Sequence, residues 1–168
     1  MKKIFCLMLA VMMLLSMVAC GSKSGKEEVE QDPEPTTVGT FLRKDFKDRL
    51  AENADLTAQE LADALLTNEH ILFAGAAMPV EPGLLMGFDN AEITGFSEGV
   101  MFAPMIGTIP FLGYVFVLDE GTDADAFVKN LEDNANPRWN ICTEAEETVT
   151  GKVGNKVFFV MCPTTMEE

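Results

Sequence analysis

Phe111-Leu112-Gly113-Tyr114-Val115-Phe116-Val117-Leu118 is apolar on both parities of a strand, and Val157-Phe158-Phe159-Val160-Met161-Cys162 repeats the pattern. A half-exposed strand alternates apolar and polar residues. Two runs of this kind therefore belong to a sheet whose two sides are both hidden from water. The covers must come from amphipathic helices. Ala124, Phe127, Val128, Leu131 and Ala135 recur at i, i+3, i+4, i+7 spacing and predict a helix over 123–135. Thr122 or Asp123 caps it, and Asn136-Pro137 ends it.

Two more helices precede the strands. Thr57 and Glu60 form a T-x-x-E capping box, with Leu61, Ala62, Leu65 and Leu66 on one face and Leu56 and Leu61 as a staple. Thr40 is the expected cap of a helix over about Phe41 to Asn53, with Leu42, Phe46, Arg49 and Leu50 on one side. The expectation is that the helix over 123–135 covers one face of the sheet and this amino-terminal pair covers the other.

Other strands are weaker. Ile71 to Ala74 is a short apolar run, and Met78 to Gly83 carries two prolines and reads as a loop. Ala91 to Phe96 and Glu98 to Ala103 read as strands broken near Ser97 and Gly99, and about Ala145 to Thr150 turns through Gly151–Asn155 into Lys156–Cys162. The fold class is α+β: a mainly antiparallel sheet of about five strands with helices packed on it, in a single domain over residues 38–168.

The amino terminus fixes where this domain works. Lys2 and Lys3 precede an unbroken apolar run from Ile4 to Leu15, which is secretory-signal anatomy. The run is shorter than the roughly 20 residues a spanning helix requires. Met17-Val18-Ala19-Cys20 resembles the lipobox of bacterial lipoproteins, with Met where that family usually has Leu. The resemblance implies cleavage after residue 19, acylation of Cys20, and attachment to the cell membrane outside the cytoplasm. A plain secretory signal with Cys20 incidental is the competing reading. Residues 20–37 then form an acidic tether, GSKSGKEEVEQDPEPTT after the cysteine, whose one aliphatic residue is Val29; such a segment has nothing to bury.

The chain of 168 residues holds 27 acidic and 12 basic side chains, and two of those bases, Lys2 and Lys3, lie in the signal. That balance argues against nucleic acid as a partner, because phosphate binding is built from clustered Lys and Arg. It equally disfavours electrostatic adhesion to anionic lipid, leaving the acyl group as the attachment. Cys6 would leave with the signal and Cys20 would carry lipid, so Cys142 and Cys162 remain. A hairpin centred on residue 152 would bring them level as a candidate disulfide, against two free thiols.

Gly95-Phe96-Ser97-Glu98-Gly99 matches the G-x-S-x-G nucleophile elbow, but its context fails. The single histidine, His70, lies upstream, and a bend between strands explains the glycines. His70 itself reads as a cation at a helix C-terminus. Asp119, Glu120, Asp123 and Asp125 lack the spacing of a calcium loop. No metal or cofactor is indicated.

Surface candidates are two. Met105, Ile106 and Ile109, between Pro104 and Pro110, form either an apolar surface for a partner or a loop folded into the core. Arg138 and Trp139 are residue types that dominate binding hot spots, although a single Trp equally suits a core. The expected role is a lipid-anchored binding or interaction module of the cell envelope, with an envelope protein or small ligand as partner. An acid-based envelope hydrolase and a structural subunit of a membrane complex are the alternatives.

Overall fold

The apolar run at 112–118 lies at the centre of the sheet. The computed structural model describes residues 33–106 and 108–166. The expected signal segment, Cys20 and most of the expected acidic tether fall outside the described residues. Five strands pair antiparallel in the order β1-β4-β5-β7-β6. They are β1 (Gly75–Pro79), β4 (Phe96–Pro104), β5 (Leu112–Leu118), β6 (Glu147–Val153) and β7 (Lys156–Cys162). A two-stranded ribbon, β2 (Gly83–Leu84) with β3 (Glu92–Ile93), stands apart. The described helices are α1 (Val38–Glu52), α2 (Ala58–Leu65) and α3 (Ala124–Asn134). The class is α+β, with helices packed on an antiparallel sheet.

Both faces of the sheet are covered. On the first, Leu42 and Phe46 of α1 and Leu61 and Leu65 of α2 bury against Phe102, Val115, Phe158 and Val160. On the second, Phe127 and Leu131 of α3 bury against Tyr114, Phe116 and Phe159. Burying each such side chain contributes about 1.5–3 kcal/mol, which sets the strength of the two-sided arrangement. The helix does not cover the second face alone: the ribbon and its turn bring Phe88 and Ile93 down beside it. Phe88 packs 4.8 Å from Phe159, ring to ring. Tyr114, buried there, keeps its hydroxyl satisfied by donating to the Met86 carbonyl at 2.9 Å.

Several elements differ from the sequence expectation. Met78 and Pro79 belong to β1, not to a loop, while Ile71 to Ala74 is not a strand. The paired N–H groups show why the proline is tolerated. Val80 N–H donates to Gly99 O, and Met105 N–H donates to Ala74 O, so even-numbered residues of β1 face β4. Pro79 is odd, on the outer side of an edge strand, where its missing N–H costs the ladder nothing. The expected break near Ser97 and Gly99 is a bulge: β4 stays continuous, with the register against β5 shifting between Phe96 and Glu98. The turn after β6 is tighter than expected, reduced to Gly154-Asn155, with Gly154 at φ +58°.

The cap of α1 is Thr37, not Thr40. Thr40 takes part from the third helical position, closing a box in which each threonine serves the other's backbone. Thr36 and Thr37 both donate backbone N–H bonds to Thr40 Oγ1, at 3.1 and 2.9 Å. The fold therefore begins at Thr36, two residues inside the expected tether.

Candidate functional site

Antiparallel pairing gathers one set of chain features at one end of the sheet. The starts of β1, β5 and β6 and the ends of β4 and β7 all lie there, as the pairs Gly75–Pro104, Leu112–Met161 and Glu147–Cys162 show. The start of α1 is fastened to the same end. Thr37 Oγ1 donates to Glu147 Oε2 at 2.8 Å, Gly39 N–H donates to Glu147 Oε1 at 2.9 Å, and Val38 N–H donates to Thr164 O at 3.0 Å. This amino-terminal pole is where the described chain begins.

The loop from β4 to β5 is also at this pole, and it divides the residues singled out in it. Met105 is 67% exposed and Ile106 87%. Ile109 instead packs half-buried against the first-face core, which corrects its assignment to the surface. The cause is the return of the chain into Phe111, a buried residue whose ring lies 5.0 Å from Phe73 and 5.7 Å from Phe102.

Arg138 and Trp139 do not form a joint surface anchor. Trp139 packs half-buried against the second-face core, while Arg138 is exposed with Nη1 3.5 Å from Glu144. The loop they open reaches outward at Ile141, 93% exposed. It is tied back to the same pole by Glu146 N–H donating to Cys162 O and Asn136 N–H donating to Gly87 O.

Cys142 and Cys162 are free thiols, one exposed and one buried. The register explains it: Cys162 faces Glu147, not residue 142, because the hairpin turns at 154–155. Burial pushes the Cys162 thiol up, and the Glu147 carboxylate beside it, 3.5 Å from the sulfur, pushes the same way. Buried and donating its S–H to Glu147 Oε1, that thiol is a poor nucleophile.

A pocket of about 210 Å³ opens beside the start of α1, between His70, Leu72 and Thr165. His70 stacks on Phe41 with ring centroids 3.7 Å apart. It lies beyond the end of α2 at Leu65 and its cap Leu66, so it packs against α1 and does not cap α2. The first N–H groups of α1 are consumed by Thr164, Glu147 and Thr37, leaving the helix end no donors for an anion.

Ser97 sits at the bulge and donates to Val117 O at 3.3 Å. Asp123 caps α3, accepting from Asp125 and Ala126 N–H, and Asp125 pairs with Lys152. Among the described residues no charged side chain is fully buried, and no three His, Cys, Asp or Glu converge on one point. No helix among them is long and apolar enough to cross a membrane. No protein-family model, curated protein or solved structure matches the chain.

Proposed function

We propose that the chain is a binding or interaction module of the bacterial cell envelope, held outside the cytoplasm by lipid on Cys20. The observation that carries the binding role is the Met105-Ile106 tip. Helices cover both faces of the sheet, and these two consecutive apolar side chains, among the most exposed large hydrophobic ones of the described residues, are held out in water between Pro104 and Pro110. Exposure of that kind marks a contact surface when it is clustered. The location is supported by the signal-like run Ile4 to Leu15, the small residue before Cys20, and an acidic segment that ends where the fold begins.

Protease added outside intact spheroplasts, followed by fractionation, tests the reading. The expected result is a membrane-bound chain that is digested without opening the cells. Recovery in the soluble fraction, or protection until the membrane is breached, would overturn it.

A further inference from the structure

We infer that the amino-terminal pole rests on the bilayer itself, with Met105 and Ile106 seated in its interfacial layer; this rests on the lipid-anchored reading. Leu72, beside Val38 and Thr164, Met105 and Ile106, just beyond the Gly75–Pro104 pair, and Ile141, in the loop that returns at Glu146 to Cys162, are exposed apolar side chains at that pole. Leu72 is two residues before Ala74, whose carbonyl accepts from Met105 N–H. Thr37, the cap of α1, is bonded to Glu147 at the same end of the sheet. The opposite end carries the tight turn Gly154-Asn155, the acidic turn Asp119-Glu120 and the α3 cap Asp123.

The length of chain outside the fold selects the occupant. From Cys20 to Thr37, at about 3.3–3.6 Å per residue, the chain reaches no farther than roughly 60 Å. A lipid on Cys20 therefore keeps this pole beside the membrane at a high effective concentration, where a weak contact suffices. The size agrees. Two consecutive exposed apolar side chains offer a small contact, whereas a specific protein interface buries about 1,200–2,000 Å². A second copy is opposed by charge, since the chain from Cys20 onward carries 27 acidic side chains against 10 basic ones. Glu69 stands beside Leu72 and Thr164 at this pole, and Arg138 is paired with Glu144, so no free cation of that loop is offered to anionic lipid; the contact suits neutral or zwitterionic headgroups, and anionic lipid weakens it.

The test uses the full lipidated chain in phosphatidylcholine vesicles containing lipid brominated on its acyl chains. In a Trp139→Phe background, Ile106→Trp should shift to the blue and lose more than half of its emission, while Val153→Trp at the far turn keeps its emission. Replacing part of the phosphatidylcholine with phosphatidylglycerol should reduce the quenching. Co-flotation with the vesicles reports anchoring separately. A chain that co-floats with Ile106→Trp unquenched overturns the docking and leaves the anchor standing. A blue shift without quenching means that protein covers the tip, and it overturns the docking too. A chain that does not co-float removes the anchor and the docking together. Should the Trp variants misfold, hydrogen exchange on the wild-type chain decides: amide 106 must slow on vesicles relative to an unlipidated chain that starts at Gly21 in solution, and equal rates overturn the inference.

Discussion

The Thr37 hydroxyl donates a 2.8 Å hydrogen bond to the Glu147 carboxylate, so the first helix is fastened at its start to the strand at the edge of the sheet. The first turn of α1 holds no acid of its own, and Glu147 supplies the negative charge that the positive end of a helix favours. Thr37→Ala is expected to cost about 1 kcal/mol and Glu147→Ala about 2 kcal/mol. Because the two groups share one bond, the double variant should fall short of the sum by more than about 0.5 kcal/mol. Urea denaturation of the four proteins measures this, and strict additivity would show that the contact does not hold the helix.

Gly113 lies opposite Phe102 in the β4–β5 ladder, and a Cβ there would meet the Phe102 ring at 2.2, 2.5 and 2.6 Å. That ring is enclosed by Phe111 and Phe158 and has little room to retreat. Gly113→Ala should therefore destabilise by about 1–3 kcal/mol through overpacking, despite the usual gain on replacing Gly in a strand. A neutral or stabilising result in thermal denaturation would mean that the core on this face is looser than described.

The two-sided sheet was legible because Phe111–Leu118 and Val157–Cys162 leave no polar parity, and the box at Thr57 and Glu60 marks α2 outright. Less visible was the cap of α1. Its box pairs Thr37 with Thr40, not with Glu or Gln, and the carboxylate that completes it comes from Glu147, distant in sequence and near only in the fold. Pro79 misled for a related reason: a proline is excluded from a ladder only if its N–H would face a partner, and the topology decides which side that is. At the surface, Met105 and Ile106 were separable from Ile109 only through the buried position of Phe111, and Trp139 from Arg138 only through the second-face core.

Acid should loosen the molecule at two exposed carboxylates. Glu146 is held below its ordinary 4.5 by hydrogen bonds from the Thr164 hydroxyl and backbone N–H, and Glu60 by the Thr57 backbone N–H and hydroxyl. A carboxylate lowered on folding stabilises the fold above its unfolded value and loses that contribution as pH falls through its folded value. Stability should therefore decline as pH drops below 4.5, and Glu60→Gln with Glu146→Gln should shallow that decline. Urea midpoints at about pH 6 and about pH 3.5 check it. An unchanged pH dependence in the double variant would contradict the assignment.

The two thiols of the domain should differ in reactivity. Exposed Cys142 should be alkylated in the native protein without reductant, and buried Cys162 only after unfolding. Intact mass before and after denaturation counts the adducts. Failure of both to react until a reductant is added would establish a bond between them and require a different path for residues 136–146.

The attachment at Cys20 is tested most directly by the intact mass of the chain extracted from membranes, with acyl labelling of the wild type and of Cys20→Ala. The expected result is a mature chain that begins at Cys20, exceeds its peptide mass by acyl groups, and loses all label in the variant. A mature chain that retains residues 1–19, or undiminished labelling of Cys20→Ala, would contradict it.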